Sequence, residues 1–100
     1  MRVDVGVATV SSAGTRVQLT LSLAGANRVK YVKFKALAGN SGLAYVGIDD
    51  VSASVGYELS AGNEIDLNFG EFGGSVQASA FYVDAATNSD KVSWMMILDG

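Results

Sequence analysis

Few residues in this chain are equipped for chemistry. Asp49 and Asp50 stand side by side in GNSGLAYVGIDDVSAS, residues 39–54, directly after an apolar run. Paired carboxylates work as general acid and base when they face each other across a substrate with their pKa values driven apart. Adjacent residues of an extended chain point to opposite sides, so this pair is expected to cap a turn after the strand. A hard cation is no better served, since it takes about six oxygens and IDDVSAS holds no spaced D-x-D-x-D series. A second acidic run, NEIDLNFGE, offers Glu64, Asp66 and Asn68 on one face, followed by Gly70 and Glu71. Ile65, Leu67 and Phe69 alternate with those polar residues as a strand requires, and a chain extended as a strand does not curl around an ion. The glycines of GNEIDLNFGEFGG precede neither Gly-Lys-Ser/Thr nor a helix start, so they form no phosphate cradle.

The chain has no cysteine and no histidine. That removes disulfides, thiolate nucleophiles, imidazole bases and the ligands preferred by zinc, copper and iron. Serines are plentiful but have only lysines and carboxylates as bases, and no S-x-x-K stands in the sequence. The expectation is a protein with no catalytic residues, no cofactor and no metal. Sugar recognition would use Tyr31, Tyr45, Tyr57, Phe72 or Trp94, because aromatic faces stack on apolar sugar faces; each of these residues also suits β-core or interface packing.

The elements that would carry these residues read as strands. In RVQLTLSL, Val17, Leu19, Leu21 and Leu23 fall on one face and Gln18, Thr20 and Ser22 on the other, the period of a half-buried strand. VKYVKFKAL repeats it, with Val32, Phe34 and Ala36 opposite Lys33 and Lys35, and Ile65, Leu67 and Phe69 are expected inward in EIDLNFG. Between the runs lie SSAGT, AGAN, AGNSG, SAGN, EFGG and ATNSD, clusters of turn-forming residues. Strands are expected near 2–10, 16–23, 29–37, 43–48, 64–69, 76–83 and 91–98, with an irregular segment over 49–63 that has room for a short extra strand. This predicts one all-β domain over residues 1–100, a small antiparallel β-sandwich or barrel of about seven to eight strands, jelly-roll-like, with residues 1–10 as an edge strand or an arm.

The surface chemistry points toward assembly. Charged residues make up only 17 % of the chain, against about 25 % in an ordinary soluble domain, so part of the surface is expected to be covered. The net charge of -3 and a pI near 4.6 argue against nucleic acid, whose binding needs a basic surface. No uncharged apolar run approaches the roughly 18 residues of a membrane span. MRVDVGVATV lacks the apolar core and cleavage site of a signal peptide, so synthesis in the cytoplasm is expected.

The last strand, KVSWMMIL, is apolar on both faces, with Val92, Trp94, Met96 and Leu98 on one and Met95 and Ile97 on the other. Such a strand is internal or covered by another chain, and Trp94, Met95, Met96 and Ile97 are accordingly the candidate interface. Arg28, Lys30, Lys33 and Lys35 cluster in one strand, while Asp49, Asp50, Glu58, Glu64, Asp66 and Glu71 follow later. This segregation suits docking to a complementary partner or to a second copy, and equally an edge strand protected by lysines.

The stretch VKYVKFKALAGNSGLAYVGIDDVSASVGYELSAGNEIDL resembles a family of small structural proteins of tailed-phage virions. The shared pattern runs through Lys35-Ala36-Leu37, Asn40-Ser41-Gly42, Tyr45-Val46-Gly47, Asp50-Val51-Ser52-Ala53-Ser54, Gly56-Tyr57-Glu58-Leu59 and Ala61-Gly62-Asn63-Glu64. The closing FYVDAATNSDKVSWMMI is similar to the family's last hairpin. Asn63 departs from it, standing where an acid or polar residue often follows the glycine with a proline before it; this chain has no proline. The resemblance implies a β-sandwich on the virion, foremost a head decoration (cement) protein, a homotrimer docked on major capsid subunits; the cation cluster makes Arg28 to Lys35 the candidate docking strand. Neck, tail or fibre components and carbohydrate-binding β modules are the alternatives.

Overall fold

Alternating apolar and polar residues make strands only where a second strand lies within hydrogen-bonding reach, and the fold shows which runs find one. The computed structural model describes residues 2–21 and 28–99, without the side chains of Phe72 and Asp99. Nine strands are described: β1 (Arg2–Val10), β2 (Val17–Gln18), β3 (Arg28–Ala36), β4 (Ala44–Gly47), β5 (Tyr57–Leu59), β6 (Glu64–Asn68), β7 (Val76–Gln77), β8 (Tyr82–Ala85) and β9 (Asp90–Asp99). Single 3-10 turns occupy Gly70–Phe72 and Ala78–Ala80.

The strands form two antiparallel sheets, one ordered β1-β9-β3-β6 with β7 also pairing with β3, the other ordered β2-β8-β4-β5. The connectivity has a simple physical origin. A long antiparallel ribbon pairs first with last and works inward, and here β1 pairs with β9, β2 with β8, β3 with β6 and β4 with β5. Rolling that ribbon adds the contacts β3 with β9 and β4 with β8. The result is a jelly roll, a two-sheet sandwich with β7 as an addition.

The core lies between the sheets. Val10, Val29, Val32, Phe34, Val83, Val92, Met96 and Leu98 are fully buried, and Phe34 meets Phe81 edge-on with ring centroids 5.4 Å apart. Apolar residues of β9 alternate as expected, Val92, Trp94, Met96 and Leu98 inward.

Two runs depart from the expected strands. Of residues 16–23, Val17 and Gln18 alone form a strand before Leu21, and Ser22 and Leu23 lie outside the described residues. The partner runs out: the 3-10 turn at Ala78–Ala80 precedes β8, so after Gln18 the last link is the Leu19 N–H donating to the Phe81 carbonyl at 3.2 Å. For the same reason residues 76–83 are not one strand. Val76 and Gln77 pair with β3 in the larger sheet, and the turn carries the chain across to β8 in the smaller one. Of residues 1–10, Arg2–Val10 form an edge strand of the chain's own sheet, β1, and Met1 lies outside the described residues.

Candidate functional site

The outer face of the larger sheet gathers most of the residues singled out by pattern. Cross-strand register sets three rows across it: Val3, Ile97, Tyr31 and Asn68; Val5, Met95, Lys33 and Asp66; Val7, Ser93, Lys35 and Glu64. The face is therefore divided. On β1 and β9 it is apolar and uncovered, with Val3, Val5, Val7 and Met95 between 52 and 60 % exposed and Ile97 half-buried. On β3 and β6 it is polar and internally paired. A shallow groove of about 190 Å³ follows the boundary, lined by Val5, Met95 and Ser93 on one side and Lys33, Lys35 and Glu64 on the other.

The charged half is held by cross-strand contacts. The Tyr31 hydroxyl donates to Asp66 Oδ2 at 2.9 Å, and Lys33 Nζ donates to Glu64 Oε1 at 3.2 Å. The hydrogen bond to Asp66 raises the Tyr31 pKa above its ordinary 10.0, because ionisation would set a phenolate against a carboxylate. The hydrogen bond and charge of Glu64 raise Lys33 above 10.5. Raised values mean that both contributions are in place at neutral pH and are lost as pH climbs past the folded-state values, above about 10. In an ultraviolet titration of tyrosinate, Asp66→Asn is expected to lower the titration of one of the four tyrosines; an unchanged curve would show that this contact does not exist in solution.

The sequence-derived interface divides by parity. Met95 and Ile97 stand on the outer face, but Trp94 and Met96, expected with them, are 4 % and 0 % exposed and belong to the core. Adjacent strand residues point to opposite sides, so WMMIL cannot present all four to one partner. The four cations separate as well. Lys33 and Lys35 lie on the face; Arg28 turns to the sheet end, where Nε and Nη2 donate to Ser75 Oγ at 3.0 Å and the Ser75 carbonyl at 2.9 Å. Lys30 sits in a register shift between Val29 and Tyr31 and runs beside Gly70. Val3, Val5 and Val7, which complete the apolar half, were legible as part of a strand over 2–10 but not as its exposed face.

Asp49 and Asp50 are exposed within a turn closed by the Val51 N–H donating to the Ile48 carbonyl at 3.0 Å. The next turn is capped by Ser52, whose Oγ accepts from the N–H groups of Ser54 and Val55, each at 3.2 Å. The buried carboxylates are others. Asp90 accepts from the N–H of Ser41 at 3.0 Å and of Gly42 at 2.9 Å; Asp84 accepts from Gly14 and Ala85; Asp4 accepts from Trp94 Nε1 at 3.3 Å. These are loop and core fasteners. No group of three or more His, Cys, Asp or Glu suited to a metal occurs among the described residues.

Of the aromatic candidates, Tyr45 and Trp94 are buried, Tyr31 is half-buried and Tyr57 is exposed; the side chain of Phe72 lies outside the described residues. Ile48, Asp49, Ser79, Ala80 and Tyr82 line an open depression of about 280 Å³. Among the described residues no helix is long and apolar enough to cross a membrane. No protein-family model matches the sequence, and no curated protein matches it.

Proposed function

We propose that the protein is a structural component of a tailed-phage virion, a decoration (cement) protein of the head that docks on major capsid subunits. It acts by burying surface, with no catalytic step and no cofactor. The observation that carries this reading is the uncovered apolar half-face of Val3, Val5, Val7 and Met95. Contiguous apolar patches on soluble domains mark interaction sites, and this one is bordered by Lys33, Lys35, Glu64 and Asp66, a charged rim that would set the orientation of docking. The resemblance of the central turns to phage virion proteins supports the same reading, as does the jelly-roll connectivity, which viral capsid domains use, although one fold serves many functions. Repeated over a symmetric shell, many modest contacts would add up to a stiffened head.

The test is co-sedimentation of the protein with empty heads of its cognate phage. Wild-type protein is expected to bind, and Met95→Lys is expected to weaken binding at least about tenfold, since it sets an unpaired charge in the centre of the contact. Wild-type protein that stays in the supernatant would overturn the proposal. A carbohydrate-binding role has one observation in its favour, the open depression lined by Tyr82 and Asp49. It predicts glycan binding lost on Tyr82→Ala and unaffected by Met95→Lys.

A further inference from the structure

The two sheets have four lateral edges, at β1, β6, β2 and β5. Exposed edges offer unpaired backbone N–H and C=O groups to any other strand, and folded proteins blunt them by shortness, charge, proline or a bulge. Three of the four are blunted in this way. β2 has two residues and β5 has three, and β6 carries Glu64 and Asp66 outward along its five residues. β1 is different. Its nine residues pair in unbroken register with β9, without a bulge, and its outward side chains from Val3 to Thr9 carry no charge. Among the described residues, no strand covers its other side.

We propose that β1 pairs edge to edge with β1 of a second copy, antiparallel about a twofold axis, joining the two five-stranded sheets into one continuous ten-stranded sheet. The sequence of the strand is suited to this partner. Antiparallel pairing about a twofold sets residues of like parity opposite each other. With the axis at Val5, that residue meets its own copy and Val3 meets Val7 in both directions. Every outward pair in the centre is then valine on valine, the β-branched pairing that stabilises adjacent strands. On the inner face Asp4 meets Gly6, so no like charges are opposed. A twofold contact closes on itself and stops at two copies, whereas a foreign strand would need no such symmetry in β1.

The area is modest. Nine residues span about 30 Å, and a strip of that length buries on the order of 300–450 Å² per copy, at the low end of specific interfaces. A dissociation constant in the micromolar range is therefore expected. Pairing also leaves the outer faces free, so the valine, methionine and isoleucine stripes of two copies become contiguous. The inference needs only the edge and stands apart from the capsid reading.

Sedimentation equilibrium from about 1 µM to about 500 µM, bracketing that range, should show a single transition from 10.3 kDa to twice that mass. Val5→Lys, which places a lysine on the edge at an exposed position, is expected to raise the dissociation constant at least about tenfold. Met95→Lys, on the same face but one strand inward, is expected to change it by no more than about threefold. Hydrogen exchange gives a second readout: amides of residues 3–9 that point away from β9 should gain protection as concentration rises. A wild-type protein that is monomeric throughout, or that forms a trimer, overturns the proposal. So does a dimer broken by Met95→Lys but not by Val5→Lys, which would place the contact on the sheet face. Loss of head binding in Met95→Lys with the dimer intact leaves the edge pairing standing.

Discussion

Trp94→Ala is expected to cost about 3–5 kcal/mol of folding stability, a large share of the roughly 5–15 kcal/mol available to a domain of this size. The indole lies in the core of the larger sheet, opposite Phe34 on β3 and Gly6 on β1. Its Nε1 donates to the buried carboxylate of Asp4 at 3.3 Å, so truncation leaves both a cavity and a carboxylate without that donor. Gly6 is the other half of the arrangement. A Cβ built there would lie 2.4 Å from the Trp94 ring, closer than any real contact, so Gly6→Ala is expected to destabilise by about 1–3 kcal/mol through overpacking. Combining Gly6→Ala with Trp94→Phe, which removes the ring atoms in the way, should cost less than the sum of the two changes. Urea midpoints at unchanged m-value measure all four proteins. Additive costs would show that Gly6 and Trp94 do not constrain each other. On the proposed capsid role, loss of binding in Trp94 variants would report unfolding, while Met95→Lys, at an exposed position, should leave stability within about 0.5 kcal/mol.

Asp90→Ala is expected to cost about 3 kcal/mol and to lower Tm by more than about 10 °C, given roughly 4–8 °C per kcal/mol in a domain of this length. The Asp90 carboxylate is buried at the start of β9 and accepts from two consecutive backbone N–H groups, Ser41 and Gly42. The neighbouring Asn40 completes the fastening. Its Nδ2 donates to the Lys91 carbonyl and its Oδ1 accepts from the Lys91 N–H, both at 2.8 Å. Together they tie the turn between β3 and β4 to the hairpin between β8 and β9. A Cβ at Gly42 would lie 2.6 Å from Thr87 Oγ1, so a larger residue there requires the Thr87 hydroxyl to move. Asp90→Asn should recover part of the loss, because one amide oxygen still accepts while the amide N–H₂ faces a donor. A thermal melt of Asp90→Ala that matches wild type would show that the turn is held by other contacts.

The AGNSG stretch shows how far local reading reaches. Its Asn and Gly were legible as a turn from their backbone preferences alone. That Asn40 and Ser41 bond to residues fifty positions later was not, because hydrogen bonds between loops depend on which loops the fold brings together. Asp49 and Asp50 were legible as turn residues by their adjacency. The buried carboxylates Asp4, Asp84 and Asp90 carried no local sign of their roles, since each is placed by a partner far along the chain.

The candidate face divides in the same way. In KVSWMMIL the two-residue period assigned Trp94 and Met96 to one side and Met95 and Ile97 to the other, but not which side faced solvent. In RVDVGVATV the period marks a strand and gives no sign that Val3, Val5 and Val7 would be the exposed set. Hydrophobicity taken alone would bury three valines before Gly6 and Ala8.

Alternation, turn positions and hence an all-β sandwich could be read from the chain alone, because they follow from backbone geometry within a few residues. Which face of each strand lies inside is set when the sheets pack, by the volume each side chain needs. The single tryptophan fills the space over Gly6, so β1 presents Gly6 and Ala8 on the core side and turns Val3, Val5 and Val7 out.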